Sequence, residues 1–291
     1  MREDFGILIM SYGRPEKVPT YESLMKSNYT GKVFIVVGDD DPRVDGYKLR
    51  FKDKCVVFKK SDYVAKNDRM GLKITKVIMF ARNACFDIAE QLGLKYFQQL
   101  DDDYMGFYFA FNSSMTYVLT KKVNQIKSYD AVVDNLLAFY ERTPKNCLAL
   151  AFAQGGDFVG GPGDNPESRW NFSCVRKAMN SWLCSTERRF TFRGCMNEDV
   201  NAYTSLQSQG YFMLNFMQYR LQQPPTQTTG GMAAVYKQYG THVKSFLSVM
   251  LNPSFVKVSI LNGKTHQRLH HNINWRRCAA KIIRETFAKK S

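Results

Sequence analysis

Apolar and polar positions come in alternating blocks over the first hundred residues, and the blocks read as strand, helix, strand. Phe5 to Met10 is an unbroken apolar run, the length and composition of a buried strand. Ser11-Tyr12-Gly13-Arg14-Pro15 interrupts it, and Pro15 suits the opening turn of a helix, which is expected over 16–26. Lys32 to Val37 is rich in β-branched residues and predicts a second strand. It ends in Gly38-Asp39-Asp40-Asp41-Pro42, a turn without regular structure. Val56 to Lys59 reads as a third strand. Over 72–92, Ile74, Val77, Ile78, Ala81, Cys85, Ile88, Ala89 and Leu92 follow three-four spacing, the buried stripe of a helix that Gly93 is placed to end. Tyr96 to Leu100 predicts a fourth strand.

The second half is less regular. Ser128 is positioned to cap a helix over 129–142, which must stop before Pro144. Leu148 to Ala153 reads as a strand, followed by the glycine-rich stretch Gln154 to Gly163. That stretch permits close backbone approach but lacks the Gly-Lys-Ser/Thr of a phosphate-binding loop. A short helix is expected over 175–185, an aromatic strand-like piece at Phe190 to Phe192, and a helix over 200–209 begun by the acids before it. Gln222 to Gly231 reads as a long polar loop. No internal repeat, low-complexity tract or firm domain boundary stands out.

Strand and helix alternating over a hundred residues argue for α/β architecture, a mostly parallel central sheet flanked by helices. In such sheets ligands bind beyond the carboxyl ends of the strands. Three polar segments fall there: Ser11–Arg14, Asp39–Asp41 and Asp101–Asp103. Each alone is an ordinary turn; their coincidence on one edge argues for a nucleotide site.

The chain has 291 residues, 44% of them hydrophobic, enough to bury a sizeable core. Its formal net charge of +15 suits a polyanionic partner, nucleic acid or an acidic membrane surface. The last 28 residues, from Lys264, carry +7 and three of the four histidines, His266, His270 and His271. No apolar run is long enough to cross a membrane, and Met1-Arg2-Glu3-Asp4 has no signal-peptide pattern. Seven scattered cysteines without zinc-like spacing read as reduced thiols of a cytoplasmic protein.

The most informative stretch is Leu100-Asp101-Asp102-Asp103-Tyr104. Three successive carboxylates repel one another, more so when partly buried, so a positive charge is expected beside them. If the strand continues, its period of two puts Asp101 and Asp103 on one side, a hard-oxygen pair suited to Mg²⁺ or Mn²⁺ shared with phosphate oxygens. A solvated acidic turn is the common alternative. Transfer of a sugar from a nucleotide needs a cation for the diphosphate, a pocket for base and ribose, and a general base. Asp101 and Asp103, Asp39 or Asp40, and Glu198 or Asp199 supply candidates in that order. A late histidine would complete a metal shell.

In this order the motifs resemble the GT-A class of glycosyltransferases: Ile7 to Arg14, Val36-Val37-Gly38-Asp39-Asp40, Ala81-Arg82-Asn83, Leu100 to Asp103, Asn197-Glu198-Asp199, then a late histidine. Gln154 to Gly161, Asn197 to Val200, Gly230-Gly231-Met232, Gly240 to Ser245, Pro253 to Lys257 and Arg268 to His271 carry the closer likeness. With them the chain resembles the TET-associated glycosyltransferase family of phages and their eukaryotic relatives. The resemblance implies one GT-A-like domain, with 1–110 binding a nucleotide sugar, a UDP-sugar by expectation, and 111–291 holding acceptor and catalytic groups. It implies Asp101 and Asp103 as metal ligands with His270 or His271. Ser11, Tyr12, Arg14, Asp39, Asp40, Arg82, Asp101 and Asp102 would lie on the donor. Asp199, with Glu198 in reserve, would be the base of an inverting reaction. The implied acceptor is a hydroxymethylated pyrimidine of DNA, modified in the cytoplasm of a phage-infected host.

Carbon 5 of a pyrimidine faces the major groove, within reach from outside. Lys121-Lys122, Arg169-Trp170, Arg176-Lys177, Arg188-Arg189 and Arg276-Arg277 are candidates for phosphate contacts. A metal-dependent nuclease, a non-catalytic DNA-binding protein, and a transferase acting on a protein or small molecule are the competing readings.

Overall fold

The computed structural model describes residues 1–64, 77–114, 118, 124–153, 178, 180–223, 238–262 and 267–278. Its centre is an eight-stranded sheet in the order β3-β2-β1-β4-β7-β6-β8-β5. The strands are β1 (Phe5–Met10), β2 (Lys32–Gly38), β3 (Cys55–Phe58), β4 (Tyr96–Asp101), β5 (Gly106–Phe109), β6 (Cys147–Ala153), β7 (Leu183–Ser185) and β8 (Phe212–Gln222). β3, β2, β1 and β4 pair in parallel, as does β6 with β8. β7 is antiparallel to both its neighbours, and β5 to β8. The expected α/β class holds, with the parallel character concentrated in the first hundred residues.

The apolar runs explain that block. Every residue of β1 is buried, and alternate side chains feed two separate cores, Leu8 and Met10 on one face, Phe5, Ile7 and Ile9 on the other. A strand covered on both faces reads as continuous hydrophobicity. Helices α1 (Pro19–Lys26), α2 (Val44–Phe51), α3 (Ser61–Val64) and α4 (Met79–Gln91) connect the strands. The first helix starts three residues later than expected, with Pro19 rather than Pro15 in its opening turn. The turn expected at 38–42 is present, and the second helix follows it over residues for which no element was expected. Of the predicted helix 72–92, positions 72–76 lie outside the described residues, 77 and 78 precede the helix, and Gly93 at φ +67° ends it.

The chain leaves β1 toward β2 and β3, then returns with β4 on the other side of β1. The strand order therefore reverses between β1 and β4, and at such a switch point the loops diverge and open a crevice.

In the second half, α5 (Tyr129–Arg142) is capped as expected, Ser128 Oγ accepting from Ala131 N, and Thr143 turns extended before Pro144. The expected helix over 175–185 does not form in its described part. Leu183–Ser185 is a strand inserted between β4 and β6, and Trp182, Leu183 and Cys184 are fully buried, the pattern of a central strand. Phe190 to Phe192 has no regular structure but packs as a ring cluster with Trp182 and Phe86. The helix expected over 200–209 is α6 (Glu198–Gln207). Beyond it come β8, α7 (Thr241–Leu251), a separate hairpin of β9 (Val256–Asn262) and β10 (Gln267–Ile273), and α8 (Trp275–Cys278). The glycine-rich stretch after Gln154, most of the expected polar loop 222–231, and the pairs Lys121-Lys122, Arg169-Trp170 and Arg176-Lys177 lie outside the described residues. The six described cysteines are free thiols. No described helix is long and apolar enough to cross a membrane.

Candidate active site at the switch point

Register places the three polar segments side by side: Met10 pairs with Val36 on one side and with Asp101 on the other. β4 ends at Asp101, and Asp102 and Asp103 lie in a turn. The expectation that strand alternation aligns Asp101 with Asp103 therefore fails, because the strand does not continue that far. The turn is instead held by α1. Thr20 N donates to Asp102 O (3.2 Å), Thr20 Oγ1 donates to Asp101 O (2.6 Å) and accepts from Tyr104 N (2.9 Å), and Ser23 Oγ donates to Tyr104 O (2.9 Å).

The three aspartates have three different surroundings. Asp102 is buried and accepts two bonds from Arg14, through Nε (2.8 Å) and Nη2, and one from Ser11 Oγ. Ser11 and Arg14 N are both joined to the Tyr47 hydroxyl, at 2.7 and 2.9 Å. Ser11, Arg14 and Asp102 thus form a latch between the ends of β1 and β4. Asp101 faces the other way and meets Arg82 Nη2 at 2.9 Å. Burial outweighs that attraction, and with the neighbouring acids it pushes the Asp101 carboxyl up to about 7. Asp103 is also raised, first by burial and then by Asp102, and its Oδ1 is buried without a partner among the described residues.

Arg82 is 1% exposed, in the first turn of α4. Besides Asp101 it donates through Nε to Glu198 Oε1 (3.0 Å) and through Nη2 to Asn180 Oδ1 (3.2 Å). Its Nη1 is buried without a partner among the described residues, and its charge is held firmly by the two acids. Its neighbour Asn83 exchanges two bonds with the backbone of Phe192, Nδ2 donating to O at 3.0 Å and Oδ1 accepting from N at 2.9 Å, which fixes the segment leading to Asn197-Glu198-Asp199. Gly194 in that segment has φ +84°, and a Cβ there would meet Asn201 Nδ2 at 2.6 Å, so the turn requires glycine.

Glu198 and Asp199 open α6, where a carboxylate favours the helix dipole. They differ sharply. Glu198 is committed to Arg82, and burial raises its pKa. Asp199 is buried with no hydrogen-bond partner among the described residues. Asn197 before them is left-handed at φ +54°. Its amide donates to Lys244 O (3.0 Å) and Ser248 Oγ (2.9 Å) and lies 3.3 Å from His271 Nδ1. The His270 ring lies 4.3 Å from that of His271. Residues from four distant parts of the chain, 82, 101, 198 and 271, are therefore linked through Arg82 and Asn197.

At the end of β2, Asp39 Oδ1 accepts from Lys60 N (2.9 Å) and Asp40 Oδ2 pairs with Lys60 Nζ (2.7 Å). Lys60 is buried, its ammonium 5.8 Å from the ring centres of Tyr12 and Phe80. Tyr12 presents a 39% exposed surface on this edge. Asp41 ties the first two loops, accepting from Gly13 N and Arg43 N, both at 2.7 Å. Lys60, Asn180 and Thr20 escaped the sequence reading. Only Lys60 carried a signal, a cation just past a strand end.

Among the described residues no three His, Cys, Asp or Glu side chains are grouped to hold a metal ion. The expected shell of Asp101, Asp103 and a histidine is not gathered in advance, since Asp101 turns to Arg82 and His271 to Asn197. Of the described basic pairs, Arg188 and Arg189 are consumed within the fold. Arg188 donates to Thr143 and Cys147 O and lies over Tyr140; Arg189 pairs with Asp87 and Glu90. They follow β7, which runs antiparallel to β4, and so sit at the opposite edge from the acids. Arg276 and Arg277 are exposed.

A parallel block with a switch point at its carboxyl edge is where open α/β sheets bind their ligands, and here that edge carries an arginine-bridged set of acids. The family described as TET-Associated Glycosyltransferase matches residues 5–232, more than three quarters of the chain. The chain belongs to that family and is a glycosyltransferase. No curated protein matches it. Among solved structures, it is similar to glucosyl-3-phosphoglycerate synthase from Mycobacterium tuberculosis in complex with Mn²⁺, UDP and glucosyl-3-phosphoglycerate, at 10% identity and TM-score 0.45, covering 93% of this chain and 88% of that one. It is also similar to GalNAc-T7 with UDP, GalNAc and Mn²⁺, at 12% identity and TM-score 0.37, covering 75% and 43%. Likeness at these levels carries no inference about substrate or mechanism; family membership rests on the sequence match.

Proposed function

We propose that this glycosyltransferase moves a sugar from a UDP-linked donor to the hydroxymethyl group of a modified pyrimidine in DNA, 5-hydroxymethylcytosine or 5-hydroxymethyluracil, with inversion at the anomeric carbon. The observation that carries the reading is the Arg82 bridge, which draws the acids ending β4 and those opening α6 to one edge. The acceptor class is supported by the family and by the net charge of +15.

On this reading residues 1–110 hold the donor and 111–291 the acceptor and base, although one sheet runs through both. Tyr12, Asp39 and Asp40 flank base and ribose. Ser11, Arg14 and Asp102 shape the pocket floor as a latch, and Arg82 lays a fixed positive charge beside the diphosphate. Asp103 Oδ1, without a partner among the described residues, fits a hard divalent cation, Mn²⁺ or Mg²⁺, with Asp101 as second carboxylate and His271, in contact with Asn197, as the histidine. Such ions take one or two carboxylates and fill the remainder with phosphate and water. When bound, the ion neutralises charge on the departing diphosphate.

Asp199 is the general base, because Glu198 is engaged with Arg82 and a salt-bridged carboxylate is a poor proton acceptor. Asp199 takes the hydroxymethyl proton as that oxygen attacks the anomeric carbon, and the bond to the nucleoside diphosphate breaks with its electron pair leaving on the diphosphate. Incubating the protein with Mn²⁺, a panel of sugar nucleotides and hydroxymethylated DNA, then analysing nucleosides by mass spectrometry, should reveal a hexosyl or pentosyl increment. Unchanged nucleoside masses across the panel would refute the proposal.

A further inference from the structure

We propose that the β9–β10 hairpin is the element that docks this enzyme on duplex DNA, laid as a two-stranded ribbon along the major groove. The inference rests on the DNA-acceptor reading above and adds the surface that engages the duplex.

The hairpin lies beyond the residues matched by the family and outside the central sheet, its two strands pairing with each other. In an antiparallel pair, directly opposed residues share a face and successive pairs alternate. One face carries the pairs Val256–Ile273 and Val258–His271. Val256 is fully buried, Ile273 packs on the core, and His271 meets Asn197 beside the candidate base. At its base this face anchors the ribbon to the active site, while further along it Ile260 and Leu269 are exposed. The other face carries Lys257 opposite Asn272, Ser259 opposite His270, and Leu261 opposite Arg268. Lys257 and Asn272 are exposed. Two cations and hydrogen-bonding side chains without any acid is the chemistry that phosphates and base edges accept.

The sequence that contains the hairpin carries charge of one sign, and the acids nearest to it, Glu198 and Asp199, lie behind its inner face through Asn197. Between Asp199 and Glu285 the sequence has no Asp or Glu, and it has ten Lys and Arg. In a chain with 26 acids among 291 residues, 85 consecutive residues without one form a field that favours a polyanion. Arg276 and Arg277, exposed on α8 directly after the ribbon, extend it. That helix is fixed to the catalytic helix, Trp275 stacking on Tyr203 of α6 at 5.4 Å. Two seven-residue strands reach about 23 Å, and a major groove about 12 Å wide admits a two-stranded ribbon. The hydroxymethyl group of the target lies in that groove.

The test is fluorescence-anisotropy titration of an unmodified 20-base-pair duplex at several salt concentrations. The double variant Lys257→Ala/Arg268→Ala should bind roughly tenfold or more weakly at low salt, with the salt slope reduced by about two, one per lost phosphate contact. Lys257→Arg/Arg268→Lys, which keeps both charges, should recover most of the affinity. Lys95→Ala/Lys145→Ala removes the same charge from the opposite edge of the sheet and should change little. Unchanged melting temperatures establish that the variants fold. Equal weakening in both alanine doubles, no weakening in the first, or tighter binding by the parent to single strands, RNA or anionic vesicles than to duplex would overturn the assignment. The probe carries no acceptor group, so the two proposals fail separately. Hairpin-dependent duplex binding without sugar transfer to DNA refutes the acceptor reading, and transfer to DNA with an indifferent hairpin refutes this one.

Discussion

Asp101 and Asp102 are neighbours in sequence, and each is neutralised by an arginine, yet the two pairs differ in almost every physical respect. Arg14, paired with Asp102, has a side chain 40% exposed, and its carboxylate has Ser11 as a further donor. Arg82, paired with Asp101, is 1% exposed and is shared with Glu198 from a helix more than a hundred residues away. The first pair joins adjacent strand ends and can be rearranged at modest cost. The second is a buried three-charge set in which each member needs the others, because a lone charge in that surrounding has no water to fall back on. One turn therefore carries both a local latch and a long-range bridge, while Asp103 Oδ1 has no partner among the described residues.

The largest expected effect comes from breaking the bridge. Arg82→Met should cost about 3–5 kcal/mol of stability, because it strands two buried carboxylates, and chemical denaturation would measure it. A loss no larger than that of a surface arginine would show that the bridge is solvated. Restoring neutrality with Asp101→Asn/Glu198→Gln in the Arg82→Met background should recover part of the loss without restoring activity.

Next come the two acids opening α6. Asp199→Asn should reduce turnover by about 10²–10⁴-fold with the melting temperature nearly unchanged, the loss expected for a general base. Glu198→Gln should retain more turnover and lose more stability. If steady-state kinetics and thermal melts reverse that order, the base is Glu198.

Asp103→Asn should weaken Mn²⁺ dependence and reduce kcat/KM by about 10²-fold. Stability should hold or rise, since burial and Asp102 both oppose its charge. A stability loss comparable to that of Arg82→Met would mean that Asp103 has a structural partner instead. The smallest effect is expected for Arg14→Ala, about 1–2 kcal/mol by denaturation, tempered by the solvent around the half-exposed guanidinium and by the remaining bond from Ser11. A cost as large as that of Arg82→Met would erase the contrast between latch and bridge.

The sequence by itself determined the parallel block. Unbroken apolar runs at Phe5 to Met10 and Val33 to Val37 have the length and composition of buried strands, and Ser128 with Pro144 bounds α5 by local chemistry alone. It also placed the three polar segments Ser11–Arg14, Asp39–Asp41 and Asp101–Asp103 on one edge, because they follow strands of one parallel block. What it could not determine is what each acid faces. Leu183–Ser185 became a strand because two sheet edges needed a partner between them, against a local pattern that allowed helix. Arg82 found Glu198, and Asn197 found His271, only when the chain was folded. Periodicity is written residue by residue, whereas ion pairs between distant segments depend on where whole strands and helices come to rest. Only the tertiary structure decided that Asp102 is latched, Asp101 bridged and Asp103 left with a buried oxygen that has no partner among the described residues.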